Sequence, residues 1–119
     1  MVVINVPTID QRKRIPQEAI DEVVRQIVEK FKPQKIILFG SYARGDSRPE
    51  SDVDMLIVLD TLLKETKQSL EIRRYLGVMF GLDLVVYTPQ HLKDRVEMGD
   101  WFLRDVLKEG KVLYEAGSR

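Results

Sequence analysis

Asp52 and Asp54 stand one residue apart at the head of an apolar run, Met55 to Leu59, while Gly40-Ser41 closes an earlier run, Ile36 to Phe39. In an extended strand alternate residues share a face, so the two carboxylates point the same way, about 6–7 Å apart along the backbone. Like charges ~5 Å apart repel by roughly 3 kcal/mol at an effective dielectric of about 20. Such a pair asks for a divalent cation, and a small hydroxyl, that of Ser41, lies beside it. One near-match fails. Gly40-x4-Gly45 followed by Asp46-Ser47 approaches a P-loop, but Asp46 stands where that motif needs lysine and would repel phosphates.

The elements that position these groups follow from the pattern. Pro16 suits the first turn of a helix, Glu18 suits its N-terminal end, and Ile20, Val23, Val24, Ile27, Val28 and Phe31 recur at helical spacing until Pro33 stops it. Residues 35–39 read as a strand buried on both faces, 43–45 as a short helical start, 46–51 as a loop and 52–59 as a second strand. Asp52, Asp54, Leu56 and Val58 share one face of that strand; Val53, Met55, Ile57 and Leu59 share the other. A long helix is expected over residues 64–80, with Leu70, Tyr75, Leu76, Met79 and Phe80 toward the core and Gly81 just past its end. A third strand over 82–87 carries Asp83 at its beginning.

Thr88-Pro89 starts a helix to about residue 98, Asp100 caps another over 101–109 that Gly110 closes, residues 111–114 form a last strand, and 116–119 fray. The second strand starts where the first ends, so these two run antiparallel, and a strand–helix–strand unit returns the third parallel to the second. The fold class expected is α/β (α+β), a small mixed sheet with flanking helices whose chemistry-bearing ends meet at one edge.

The string GSYARGDSRPESDVD, Gly40 to Asp54, resembles the signature of the polymerase-beta-type nucleotidyltransferases, and looks like their small, single-domain minimal nucleotidyltransferase branch. Helix, strand and carboxylate spacing carry the resemblance over residues 16–83. It implies a third carboxylate one helix after the pair, which is Asp83. It further implies that Asp52, Asp54 and Asp83 are catalytic and hold magnesium, a hard cation that takes oxygen ligands. Two such ions would clamp the attacking and leaving oxygens at a nucleotide's α-phosphate. In this family pattern Asp83 takes the acceptor's proton, Gly40 admits the triphosphate, and Ser41 and Arg44 contact it; Arg44 has the equal alternative of pairing with Asp46 or Glu50. Arg48 is a weaker phosphate candidate, and Tyr42 reads as packing.

Minimal nucleotidyltransferases of this look are typically antitoxins paired with HEPN-family ribonuclease toxins. The implied activity is transfer of AMP from ATP to a toxin tyrosine, with release of pyrophosphate. Two other readings stand beside it: a noncatalytic antitoxin that masks its toxin, and nucleotidyl transfer to a small molecule such as an aminoglycoside.

The 119 residues suit one domain spanning 1–119. That length leaves no attached acceptor domain, so the acceptor is expected to be a separate molecule. Lys+Arg and Asp+Glu both total 19, a balance that speaks against nucleic acid or an anionic membrane as partner. There is no cysteine, which suits a reducing cytoplasm, and no membrane-length apolar run or signal-peptide pattern. A homo-oligomer stays open. His91, the one histidine, has no second soft ligand to form a metal site. Met98 and Trp101-Phe102 read as core or partner surface, Arg73-Arg74 as a solvated helix face, and Arg12-Lys13-Arg14 as a solvated lead-in.

Overall fold

The computed structural model describes residues 3–4, 6, 14–78 and 80–117. Along the chain lie β1 (Val3–Ile4), α1 (Gln17–Phe31), β2 (Lys35–Phe39), α2 (Ser41–Arg44), β3 (Val53–Val58), α3 (Glu65–Tyr75), β4 (Gly77–Val78), β5 (Leu82–Tyr87), α4 (Pro89–Glu97), α5 (Trp101–Glu109) and β6 (Lys111–Glu115). Pro16 holds extended backbone at the head of α1, and Lys32 ends it in the left-handed region at φ 52°, directly before Pro33. Thr88 and Asp100 cap α4 and α5 by accepting from the N–H groups of His91 and Leu103.

The main sheet has strand order β5-β3-β2-β6. β2 runs antiparallel to β3 and β6, and β5 runs parallel to β3, the mixed topology that the connections demand. Alternation along β3 sorts its side chains onto two faces. Val53, Met55, Ile57 and Leu59 enter the larger core with Ile20, Val23 and Ile27 of α1 and Ile72 of α3. Leu56 packs in a smaller core with Ile37 and with Leu103 and Val106 of α5. Each fully buried aliphatic side chain contributes about 1.5–3 kcal/mol, so the register of β3 is strongly held.

The helix expected over residues 64–80 is shorter than its apolar pattern suggests. α3 ends at Tyr75, Leu76 leaves it in extended backbone at φ −77° and ψ 132°, and Gly77–Val78 instead pair in parallel with β1. A glycine followed by a β-branched valine weakens the helix there, and pairing with β1 supplies the alternative hydrogen bonds. Leu70 is 45% exposed and not a core contact. The buried side chains of α3 are Ile72 and Gln68, the latter accepting from the Thr61 hydroxyl at 2.8 Å. Leu76 is buried and Tyr75 and Phe80 pack on the larger core, as expected. Ala116 is not frayed: its N–H donates to the Gln34 carbonyl at 2.9 Å. Arg12, Lys13, Met79, Ser118 and Arg119 lie outside the described residues. Among the described residues no helix is long and apolar enough to cross a membrane.

Candidate active site

Strand register brings the chemistry-bearing residues to one edge. Phe39 is the ladder partner of Asp54, and Asp54 is the partner of Asp83, so these three form a row across β2, β3 and β5. Asp52 lies just before β3, where the Val53 N–H donates to the Gly81 carbonyl at 2.9 Å. Gly40 stands at the exit of β2 with φ 75° and ψ −154°, a conformation that a side chain rarely adopts. The edge expected from topology is therefore present, and Gly40, Ser41, Asp52, Asp54 and Asp83 all belong to it.

Two glycines make room for two carboxylates. A Cβ on Gly40 would collide with Asp54 Oδ2, and a Cβ on Gly81 would collide with Asp52 Oδ1. Gly81 is thus a close-approach glycine and not the stop of a helix that ended at Tyr75. The same contacts turn the carboxylates toward different neighbours, Asp54 toward Gly40 and Asp52 toward Gly81. Among the described residues no group of three acidic or histidine side chains is disposed to hold a metal ion. The structure gathers the backbones of Asp52, Asp54 and Asp83 but not their oxygens into one coordination shell; like charges favour rotamers that spread them.

That crowding is felt by Asp54. Burial first, then the charges of Asp83 and Asp52, push its carboxyl up to about 6, with Arg44 opposing. A half-buried acid held among two others is a surplus of negative charge that a divalent cation would relieve, and oxygen donors suit magnesium. The residues present fit such an ion, with side-chain rotation as the adjustment required.

α2 is fixed from the far side. The ring of Tyr42 is buried, its hydroxyl accepts from the Ile15 N–H at 2.8 Å, and Arg14 lies 4.8 Å over its centroid. Tyr42 therefore packs, as its position suggested, and by packing it holds the Gly40-Ser41 turn. The N–H groups of Ser41 and Tyr42 belong to a first helical turn and have no intrahelical acceptor, so they are donors available to an anion. Arg44 is exposed and sits 3.4 Å from Asp46, the pairing alternative, while also lining a cleft of about 400 Å³ with Gly40, Phe39 and, from α5, Phe102, Asp105 and Glu109. In the loop, the Arg48 N–H donates to the Ser51 hydroxyl at 2.8 Å.

A model of the nucleotidyltransferase domain matches residues 20–115. The chain belongs to the nucleotidyltransferase domain family. The resemblance carried by residues 40–54 is borne out. A Methanocaldococcus jannaschii relative, provisionally named a protein adenylyltransferase, is 36% identical over 102 residues, covering 82% of this chain and 97% of its own. The protein adenylyltransferase MntA of Thermococcus cleftensis is 31% identical over 72 residues, covering 60% of this chain and 72% of its own. Among solved structures, a provisionally assigned nucleotidyltransferase from Sulfolobus solfataricus superposes with TM-score 0.58 at 23% identity, over 82% of this chain and 78% of its own. A toxin-antitoxin crystal structure with AMP-PNP gives TM-score 0.54 at 21% identity, over 82% of this chain and 74% of its own. At such identities these two likenesses speak for the fold.

Gly81 is the site residue that helical periodicity misassigned, although a glycine directly before a strand that bears an acid repeats the logic of Gly40. His91 lies at the other end of β5 from Asp83. Its Nδ1 is 2.7 Å from Glu65 Oε1, and Glu65 also accepts from the Thr88 N–H at 2.7 Å. This ties α3 to α4 and is no part of the site.

Proposed function

We propose that this nucleotidyltransferase moves AMP from ATP to a tyrosine hydroxyl of a partner HEPN-family ribonuclease toxin in the cytoplasm, releasing pyrophosphate. The observation that carries the reading is the row Asp54–Asp83 on paired strands, with Asp52 and the Gly40-Ser41 turn at the same edge. Support comes from relatives named protein adenylyltransferases. A toxin-antitoxin crystal structure agrees in fold.

Asp52, Asp54 and Asp83 would hold magnesium, which supplies charge neutralisation at the reacting phosphate. Gly40 gives the triphosphate access to the backbone, and the Ser41 hydroxyl with the first-turn N–H groups holds its terminal phosphates. Arg44, whose contact to Asp46 is long and exposed, adds a mobile cation at the same turn. An unperturbed tyrosine hydroxyl titrates near ~10 and needs a base at neutral pH. In this reading Asp83, exposed at the start of β5, accepts that proton as the oxygen attacks the α-phosphorus. The new P–O bond forms to tyrosine, the bond to the bridging oxygen of pyrophosphate breaks, and pyrophosphate leaves.

Intact-mass spectrometry tests this directly. Incubation with ATP, magnesium and the cognate toxin should add about 329 Da per AMP to the toxin, the mass expected for nucleotidyl transfer. Asp54→Asn should abolish the gain, since removing one charge from a transition-state clamp costs roughly a hundred- to a thousand-fold in rate. A toxin left unmodified yet silenced by both wild type and Asp54→Asn would replace transfer with masking.

A further inference from the structure

α5 turns its one tryptophan straight away from the core. Its buried residues are Leu103 and Val106, and at about 100° per residue Trp101 falls on the opposite side of the helix. Trp101 is 88% exposed, Met98 in the preceding turn 74%, and Phe102 44%. Single exposed apolar side chains need no explanation, but a tryptophan, a methionine and a phenylalanine within one turn make a patch of the kind that marks protein interfaces.

The patch runs into the candidate active site. The Phe102 ring meets Phe39 edge-on, with centroids 5.4 Å apart and planes at 83°. Phe39 is the ladder partner of Asp54. Phe102, Asp105 and Glu109 form the α5 wall of the cleft whose opposite wall holds Gly40 and Arg44. The charge on that wall is of one sign. Among the described residues Asp105 and Glu109 make no ion pair, whereas neighbouring Asp100 binds Arg95 at 3.1 Å and Arg104 donates to the Val96 carbonyl. Asp105 and Glu109 lie one helical turn apart beside the exposed Phe102 ring, with Arg44 across the cleft and Arg104 and Lys108 on the adjoining Trp101 side. A partner cation seated here can stack on Phe102 and hydrogen-bond both acids.

We propose that the α4–α5 corner is the docking surface for the acceptor protein, which covers Trp101 and Met98 with an apolar side chain and lays an arginine or lysine over Asp105 and Glu109. This rests on the transferase reading above and names the chemistry of its partner. The nucleotide's phosphates keep to the Gly40–Arg44 wall of the cleft, and the α5 wall with its two carboxylates is left to the acceptor. Docking here holds the acceptor against the edge where Asp83 waits for its hydroxyl.

The test uses the full chain, the cognate toxin, and two variants, Trp101→Ala and the double change Asp105→Lys with Glu109→Lys. Calorimetry without ATP reads the Kd for the toxin, and mass-resolved kinetics read KM and kcat. Exposed positions leave the fold intact, which the melting temperature checks. A central tryptophan anchor is worth about thirtyfold or more in affinity. Trp101→Ala should therefore raise Kd and the toxin KM by about that factor, with kcat within about twofold and the Mg·ATP melting shift unchanged. The charge reversal should also weaken binding, more at low salt than at high. An unchanged Kd in both variants overturns the proposal. So does a homodimer that Trp101→Ala dissociates while toxin affinity stays constant. Wild type that binds the toxin but never modifies it sinks the transferase reading, and the Kd series still decides the docking surface.

Discussion

Removing the charge of Asp54 should make the metal-free protein more stable. Its carboxyl is pushed up to about 6 by burial and by Asp83 and Asp52, against about 3.8 in an unfolded chain. A folded pKa above the unfolded one means that the protonated form contributes stability that is full at low pH and lost as pH rises through about 6. A rise of that size corresponds to roughly 3 kcal/mol, and solvent screening of a half-buried group reduces this to about 1 kcal/mol. Asp54→Asn keeps the shape against Gly40 and drops the repulsion. In chelator at pH 8 its melting temperature should exceed wild type by about 3–5 °C, falling to roughly a third of that at pH 4.5 and vanishing only below the unfolded value of about 3.8. Differential scanning calorimetry across that range reads both ends. A variant less stable than wild type at pH 8, or an advantage that persists unchanged at pH 4.5, would refute the crowding argument.

Other perturbations separate the parts of the site. Gly81→Ala places a Cβ on Asp52 Oδ1, so transfer should fall at least tenfold while the melting temperature barely moves, since only a side-chain tip must shift. Gly40→Ala meets Asp54 and also a positive φ, so it should lose about 1–2 kcal/mol of stability in urea titration as well as activity. Tyr42→Phe strands the Ile15 N–H and should cost about 1–3 kcal/mol, read by the same titration. ATP with magnesium should raise the melting temperature more than ATP with chelator, and equal shifts would remove the metal from the site.

Much of this geometry was legible in residue order. The runs 35–39 and 82–87 became strands with the expected ends, because glycine, proline and threonine punctuate them and few alternatives exist. Alternation also placed Val53, Met55, Ile57 and Leu59 opposite Leu56. The end of α3 was not legible, because the apolar stretch after Tyr75 fits a helix locally and is diverted by pairing with Val3–Ile4, more than seventy residues earlier. Nor does periodicity report side-chain torsions, so it aligned three carboxylates that do not form one cluster, Asp54 turning toward Gly40 and Asp52 toward Gly81. For Trp101 the pattern left core and surface open; only the packing of Leu103 and Val106 decides between them.

The row Phe39, Asp54, Asp83 governs how errors propagate through this fold. Because successive side chains on a strand alternate faces, β3 cannot slide by one residue to adjust its acids; the slip would bury Asp54 and expel Val53. Its alignment is therefore a ratchet with a two-residue tooth, and the greasy underside of β3 is the pawl. Sub-ångström play that a softened core allows at Met55 or Ile57 is delivered undamped to the acids at the strand end, so that lesions remote from any phosphate will present as kinetic defects.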